Sequence, residues 1–450
     1  MSGADTPRST PVERAVQPVR DFADQESSGG IVLLACALVS LALVNSPLSA
    51  EFLALWNNQL TVALGGMGVA KSVHFWINDG LMALFFFVVG LEIKREVLVG
   101  ELSSPRQASL PLIAAVGGMA VPAGLYYAFN PSGPEASGWG IPMATDIAFA
   151  LGVLVLFGKR VPAALKVFLT ALAIFDDIGA VLVIAFFYTD HLTPVAIAAS
   201  GALLVLTVAA NGLGVRSVLV YGILGVALWV AMLNSGFHAT VAGILLAFAI
   251  PARSRIDSDS FVGRSESLLD EFRRVSDSGE DALRNDRQQR ILLALERESE
   301  RASTPLQRLE YALHPWVAFL VMPVFALANA GVALGGMTAD IATHTVTSGI
   351  MAGLVLGKPL GIAGCVWLAV KLRLADLPDQ VTWLQIGAVG FLAGIGFTMA
   401  LFVGGLAFAG GVLEAAAKVG ILAGSLLAGV IGAALLWTAQ QSGSKVAPPT

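Results

Sequence analysis

The chain has 450 residues, of which 56% are hydrophobic and only 13% are charged, whereas a soluble domain carries roughly 25% charged residues. Its mean hydropathy is +0.76, and apolar runs of about 20 residues, the length needed to span a bilayer, recur along most of the sequence. These values exclude a soluble enzyme or a soluble regulatory or structural protein. The runs do not alternate as the strands of a membrane barrel do, so we predict an all-α polytopic membrane protein, whose helices satisfy their own backbone hydrogen bonds in lipid.

The first segment, residues 1–29, is polar and rich in Pro, Ser and acids, which predicts a disordered tail. The apolar run at 31–44 resembles the core of a signal peptide, but the long acidic tail before it argues against cleavage. Transmembrane helices 1–8 are predicted within residues 30–251, helices 9–12 within 313–438, and a C-terminal tail at 439–450. The twelve spans are predicted near 30–46, 76–100, 108–129, 139–157, 163–188, 193–211, 216–234, 237–251, 313–334, 346–371, 382–408 and 416–438.

The basic residues give the orientation, because loops rich in Lys and Arg stay in the cytoplasm. With the N-terminus inside, every one of the 27 basic residues lies on the cytoplasmic side except Lys71, Lys418 and Lys358. We therefore expect a multi-pass protein of the cell (inner or plasma) membrane with both termini in the cytoplasm. The stretch between the first two spans is too polar to cross a membrane, and its Gly65 and Gly66 suggest a small hairpin or surface loop.

Residues 252–312 contain 13 acids, 11 bases and almost no long apolar run. We interpret them as a charged cytoplasmic insertion loop. The part from Arg287 to Pro315 has helical periodicity and indicates an amphipathic helix, and both a solvated linker and a regulatory element remain open. The two cysteines, Cys36 and Cys365, lie inside apolar runs, which argues against a disulfide framework and against a cysteine metal site.

Deep inside three of the predicted spans lie ionisable residues, each of which costs roughly 2.5–3.5 kcal/mol on insertion scales. Asp176 and Asp177 lie near the middle of the apolar run at 168–189, where a helix points them in different directions. No Pro or Gly-rich break precedes them, which argues against a helix cap. Lys358 is equally central, so it is badly placed to reach the membrane surface, and Pro359 suggests a kink beside it. A buried lysine needs an acid, and either aspartate fits.

Asp146 lies in the third such span, "GWGIPMATDIAFALGVLVLFG", in which Gly138, Gly140 and Pro142 suggest a helix interrupted near Thr145. An ordinary N-cap aspartate is the alternative. A second glycine-rich span, "VGFLAGIGFTMALFVGG" at 389–405, carries Gly394, Gly396 and Thr398 without an acid, and close helix packing is its alternative reading. Two interrupted spans in corresponding positions of the two halves indicate an inverted-repeat transporter.

Several long motifs together resemble the NhaA family of bacterial sodium/proton antiporters. They include "NDGLMALFFFVVGLEIKRE", "IPMATDIAFALGVL", "LTALAIFDDIGAVLVIAFFYT", "NSGFHATVAG", "RLEYALHPWVAF", "GKPLGI" and "GIGFTMALF". The resemblance extends from about residue 20 to about residue 440. It implies twelve transmembrane helices in inverted repeats, with two interrupted helices that cross. The loop before Glu310, which is short in that family, here runs to about 60 residues.

The resemblance also implies roles for individual residues. Asp177 would be the principal sodium carboxylate, with Asp176 beside it. Asp146 with Thr145 would face the crossing of the broken helices, and Lys358 would pair with Asp176. The remaining implied positions are an acid near the periplasmic side, Asp79, and residues tied to the pH response, namely Glu92, Arg95, Glu96, Glu310 and His314, with His238 tuning it. Without the resemblance, we would interpret Glu92–Glu96 as a helix end with paired charges and His238 as a packed histidine.

The expected function is electrogenic, pH-regulated export of sodium and lithium in exchange for protons, by alternating access to the midplane aspartates. We expect no enzyme activity, no cofactor and no nucleic acid. The expected partners are the transported ions, membrane lipid and a second copy in a homodimer, for which the hairpin near 57–72 is a candidate contact. A sodium-coupled symporter of the same broken-helix fold is the alternative. An intramembrane aspartyl protease would need a Gly-x-Gly-Asp motif, which this sequence lacks, and a channel would show no proton coupling.

Overall fold

The structure is a computed structural model that describes residues 28–64, 67–158, 161–189, 192–254, 256–276, 286–333, 335, 339–378, 380–408 and 410–443. The predicted disordered tail, residues 1–29, lies outside the described residues apart from Ser28 and Gly29, which begin the first helix. The last helix ends at Gly443, five residues beyond the predicted span. The rest of the predicted C-terminal tail lies outside the described residues.

Helices dominate the described chain. In order they are α1 Ser28–Val44, α2 Ser49–Asn57, α3 Met82–Val99, α4 Pro105–Phe129, α5 Ile147–Leu156, α6 Ala163–Phe187, α7 Pro194–Gly212, α8 Val218–Leu233, α9 Val241–Ala249, α10 Ser258–Ser276, α11 Asp286–Ala302, α12 Pro305–Trp316, α13 Met322–Asn329, α14 Thr345–Ala352, α15 Lys358–Lys371, α16 Trp383–Ala393, α17 Phe397–Ala407 and α18 Gly411–Gly443. Short helical pieces complete them: α-helical turns at Val73–Phe75 and Ala339–Thr343, π-helical turns at Trp76–Leu81, Val317–Val321 and Gly353–Gly357, and 3-10 helices at Glu101–Ser103 and Pro134–Met143.

Two strands form the small hairpin that the sequence predicts between the first two spans. Strand β1, Gln59–Leu64, pairs antiparallel with β2, Met67–Ser72, and its predicted Gly65-Gly66 turn lies outside the described residues. Helix α2 is not predicted separately. It follows α1 after a bend of 116°, so the chain leaves the direction of the first span before it enters the hairpin.

Seven helical segments are long and apolar enough to cross a membrane, and two bent pairs of helices raise that number to nine among the described residues. Three predicted spans fall short by length or composition. The span near 76–100 carries four charged residues in α3, α8 has 16 residues, and α9 has nine. The protein is therefore an all-α, multi-pass membrane protein, and the total of twelve spans stays a prediction.

The chain divides into two compact units. The first unit is built from residues 1–82, 97–190 and 317–450, and the second from residues 83–96 and 191–316. Each unit thus combines segments that are far apart in the sequence.

In the first unit, α4 and α15 approach so closely that their backbones touch. The Gly361 position on α15 faces Gly117 on α4, where an added Cβ would lie 2.6 Å from the Gly117 carbonyl carbon. Small residues permit such approaches between membrane helices. The π-helical turn Gly353–Gly357 lies directly before Pro359. Because proline lacks an amide hydrogen and its ring crowds the preceding turn, the helix widens there, where the sequence suggests a kink.

In the second unit, α3 and α9 are in similarly close contact. An added Cβ at Gly243 would lie 2.9 Å from the Phe87 backbone nitrogen, and one at Gly90 would lie 2.7 Å from the Ala247 Cβ. Around this contact lies a buried cluster formed by Phe87, Leu91, Tyr221, Ala247, Ile250 and Leu306. This packing joins the single helix contributed by residues 83–96 to the remainder of its unit.

The charged insertion is helical over most of its described length. Helices α10 and α11 pack together, and ion pairs join Arg264 to Glu298 at 3.2 Å and Arg287 to Glu271 at 3.0 Å. Ile291 is the buried apolar residue of α11. The predicted amphipathic helix from Arg287 to Pro315 is thus present as two helices, α11 and α12, and the solvated linker and the regulatory element both stay predictions.

The close contact between α4 and α15 predicts a stability difference between two glycines on the same helix. Replacing Gly361 by Ala should lower the melting temperature of the detergent-solubilised protein, because overpacking costs about 1–3 kcal/mol. Gly364→Ala is the matched control, since a Cβ there meets nothing within 4 Å. Equal melting temperatures for the two variants would contradict the packing described.

Candidate functional site

The predicted interruption near Thr145 is present. A 3-10 helix ends at Met143, the backbone is extended at Ala144 and at Asp146, and α5 begins at Ile147. Pro142 removes a backbone donor at this point, and the buried Gly138 and Gly140 leave room for neighbouring tyrosine side chains. A predominantly apolar span is therefore broken in its middle.

The glycine-rich second span is interrupted as well. Helices α16 and α17 are separated by Gly394–Gly396 and bent by 44°. The two breaks touch, because the Asp146 amide donates to the Ile395 carbonyl oxygen at 2.7 Å, and the Thr145 hydroxyl lies 2.8 Å from the Ala393 carbonyl oxygen. Backbone groups freed by one break thus find partners in the other, as irregular backbone at membrane depth requires.

The Asp146 carboxylate caps two helices at once. Its Oδ1 accepts from the Phe149 amide at 3.2 Å, at the start of its own helix α5. Its Oδ2 accepts from the Thr398 amide at 3.1 Å and from the Thr398 hydroxyl, at the start of α17. The N-cap interpretation is therefore correct locally, and the same carboxylate also faces the positive N-terminal end of a second helix.

Lys358, at the start of α15, is fully buried and its ammonium contacts the Asp176 Oδ2. The same ammonium donates to the Thr145 hydroxyl oxygen at 2.8 Å, and that hydroxyl lies 2.6 Å from the Asp176 Oδ2. A hydroxyl has a single proton, so Thr145 donates either to Asp176 or to the Ala393 carbonyl. The second oxygen of Asp176, Oδ1, is buried and has no hydrogen-bond partner among the described residues.

Asp177 follows Asp176 on the unbroken helix α6 and is only 5% exposed. The structure thus brings five of the predicted site residues into the first unit, at the two breaks and on the helices beside them: Thr145, Asp146, Asp176, Asp177 and Lys358. Among the described residues there is no group of three or more His, Cys, Asp or Glu side chains that could hold a metal ion. A sodium ion would have to be held by fewer carboxylates together with hydroxyl and carbonyl oxygens.

Asp79 lies elsewhere in the first unit, in the π-helical turn Trp76–Leu81. It lines a cavity of about 390 Å³. Near it, the His74 Nε2 lies 3.1 Å from the Asn329 Oδ1, and Asn329 donates to the Asn78 Oδ1 at 2.8 Å. Burial lowers the pKa of His74. The cavity also contains the ion pair of Glu414 with Lys418.

The predicted pH-response residues belong to the second unit. Arg95 donates to the Glu310 Oε1 at 3.0 Å and pairs with Glu96 at 2.9 Å. The other three lie as follows: Glu92 one turn before Glu96 on α3, His314 exposed on α12, and His238 with its Nδ1 2.7 Å from the Thr240 hydroxyl.

Two residues of the site are missed by sequence reasoning. Thr398 is noted only as part of a glycine-rich span, yet it donates twice to Asp146. Ser425 on α18 accepts from the Phe397 amide at 3.1 Å and so satisfies another free donor of α17. A serine in an apolar helix usually bonds to its own helix, as Ser200 does with Ala196, so Ser425 gives no separate signal in the sequence.

The apolar helices, the two touching breaks and the buried ionisable groups define an integral membrane protein of the broken-helix class. The family model described as "Na+/H+ antiporter 1" matches residues 20–436, and the chain belongs to that family. This is a family of transporters.

Individual relatives agree with this assignment. The chain is 50% identical to the "Na(+)/H(+) antiporter NhaA" of Oleidesulfovibrio alaskensis, over 95% of each chain. It is 48% identical to the "Na(+)/H(+) antiporter NhaA 2" of Syntrophotalea carbinolica, over 93% of this chain and 96% of that one. It is 47% identical to the "Na(+)/H(+) antiporter NhaA" of Koribacter versatilis, over 98% of this chain and 96% of that one.

The buried contact between Lys358 and Asp176 predicts a stability pattern across three variants. Lys358→Met and Asp176→Asn should each destabilise the protein by about 3–5 kcal/mol, because each leaves one uncompensated buried charge. The double variant should recover most of the loss in melting temperature. Lys418→Met is the control, since its pair with Glu414 is partly exposed and is worth at most about 1 kcal/mol. Additive losses in the double variant would contradict the pairing.

Proposed function

We propose that the protein exports sodium across the cell membrane in exchange for protons, at a site made by Asp176 and Asp177. The observation that carries the proposal is the Asp176 Oδ1, a buried acceptor without a hydrogen-bond partner among the described residues, on the residue that precedes a second buried aspartate. Buried polar atoms without a partner call for a specific explanation. A carboxylate oxygen that either a proton or a sodium ion occupies is such an explanation, and it agrees with the names of the relatives.

Sodium is a hard cation, and hard cations take oxygen ligands. In the proposal, Asp177 is the principal ligand and also a proton carrier. Asp176 and Lys358 form a pair that breaks when sodium binds, because the sodium ion and the ammonium compete for the single negative charge of Asp176. When the pair with Asp176 is broken, Lys358 is a buried ammonium without a counter-charge and releases a proton more easily.

Exchange follows if the site holds protons or sodium but not both. Interacting carboxylates and a lysine titrate as one coupled set, so sodium binding displaces protons and proton binding displaces sodium. Alternating access to the two sides of the membrane then couples inward proton movement to outward sodium movement. Asp146 takes part as the carboxylate that neutralises the positive ends of α5 and α17, which keeps the two breaks in contact.

Further properties belong to the same proposal. Transport is electrogenic, includes lithium and is activated at alkaline pH, with the contacts among Arg95, Glu96 and Glu310 supporting a titratable cluster. Both termini are cytoplasmic. The protein forms a homodimer in the plasma membrane, and the exposed residues Leu60 and Val62 of the hairpin are candidates for its interface.

Replacing Asp177 by Asn should abolish transport. In everted membrane vesicles at alkaline pH, sodium-dependent proton movement should fall to the level of vesicles without the protein, because the amide cannot exchange a proton or supply a charged ligand. Asp376→Asn is the matched control, since the Asp376 side chain is 89% exposed. Substantial activity in the Asp177 variant would remove this residue from its proposed role.

A further inference from the structure

Four consecutive carbonyl groups at the end of α9 receive donors from three different segments. The Lys94 ammonium, from α3, donates to the Phe248 carbonyl oxygen at 2.7 Å and also to the Ile250 carbonyl oxygen. Two further donors complete the set: the Asn211 side chain to the Ala249 oxygen at 2.9 Å, and the Leu306 amide to the Pro251 oxygen at 3.2 Å. All of these residues belong to the second unit.

The last carbonyls of a helix have no partners within that helix, and a cation at this end also meets the negative end of the helix dipole. Lys94 is half-buried and lies among four charged positions of α3. It could therefore pair with a neighbouring acid, but its amine is directed at backbone oxygens of another helix. Neither the sodium site nor the proposed pH-response residues account for this arrangement.

The contacts of Lys94 and of its neighbour Arg95 form a closed triangle. Lys94 joins α3 to the end of α9, and the Leu306 amide joins the end of α9 to the start of α12. Glu310, one turn further along α12, accepts from Arg95 and so joins α12 back to α3. The end of α9 therefore determines where α12 begins, and the beginning of α12 determines where the Glu310 carboxylate lies.

Two contacts of this triangle and of α12 also fix the ends of the charged insertion. Residues 252–305 of the insertion lie between Pro251 and Leu306, and the hydrogen bond between these two residues keeps the ends of this segment together. Arg308 of α12 pairs with Glu300 of α11 at 2.6 Å. The helices α10 and α11 can thus be present without separating α9 from α12.

We propose that Lys94 is a positioning residue for the pH response: it fixes the end of α9 and, through Leu306, the place where Glu310 meets Arg95. The inference rests on the proposed function, because it presumes that the pair of Arg95 and Glu310 affects the pH at which transport is activated. The charged groups that face the pair are Glu92 and Glu96 on α3, whereas Arg308 of α12 pairs with Glu300.

The effect of removing the lysine follows from these contacts. Without the Lys94 contacts, the start of α12 is free to shift and Glu310 spends less time against Arg95. The pH at which transport is half-maximal should therefore move when Lys94 loses its donors, because the proposed pH response depends on this pair.

The test uses the full-length protein in proteoliposomes and three variants. Lys94→Met keeps most of the aliphatic stem and loses all hydrogen-bond donors, whereas Lys94→Arg keeps the charge and the donors. Lys371→Met is the control: it makes the same change at a lysine whose ammonium lies over the Trp367 ring. Sodium-dependent proton exchange is measured from pH 6.5 to 9. Amide hydrogen exchange of residues 306–312 is measured on the same preparations, because a purely electrostatic effect of the lysine charge would leave it unchanged.

Lys94→Met should shift the half-maximal pH by about one unit and retain transport at the pH of maximal activity, with amide exchange of residues 306–312 about tenfold faster. Lys94→Arg and Lys371→Met should match the wild type in both measurements. An unchanged pH profile, or a shifted profile with unchanged amide exchange, would overturn the inference. Absence of sodium-dependent proton transport in the wild type would instead refute the proposed function. If Lys94→Met does not accumulate, Lys94→Gln takes its place with a smaller shift expected in both measurements.

Discussion

A charge inside a membrane protein is stable only where an opposite charge or several dipoles meet it, and this constraint organises the site. Lys358 has no access to solvent, so its ammonium must be held by Asp176 and by the hydroxyl of Thr145. Three structural features bring these groups together. The glycine contact of α15 with α4 sets the position of the lysine, the break before α5 presents the threonine, and the unbroken α6 carries the aspartate.

The same constraint applies to the backbone. Interrupting two apolar spans leaves amides and carbonyls without partners at a depth where water is scarce. Asp146 accepts from the first turns of two helices, Ser425 accepts from a third amide, and the extended residues of one break bond to the other. The breaks are therefore mutually dependent, and a site made from their ends can be rigid although neither segment is a regular helix.

The sequence predicts those parts of the site whose burial in a membrane costs free energy. Asp146, Asp176 and Lys358 are recognisable because ionisable residues rarely lie in apolar runs, and Pro142 with its neighbouring glycines indicates the first break. The pairing of Lys358 with an aspartate also follows, although the residues alone do not choose between Asp176 and Asp177. The family resemblance supplies that choice.

Other features give no comparable signal. Ser425 and Thr398 are short polar residues whose ordinary behaviour in a helix is to bond to their own turn, and only the tertiary contact reveals their partners. In the sequence, Lys94 resembles any other charge at a helix end. Its partners are backbone carbonyl groups, which every residue has and which therefore leave no signal in the sequence. The bend after α1 and the short α9 depend on packing, and the number of spans cannot be fixed by hydropathy when a span is short or charged.

The account depends on competition between sodium and protons for one set of buried carboxylates. Isothermal titration of the purified protein with sodium, in buffers of different ionisation enthalpy, measures the protons released for each sodium bound. Proton release, with a sodium affinity that increases as the pH rises, is the predicted result. Sodium binding that releases no protons and has the same affinity across the pH range would contradict the account.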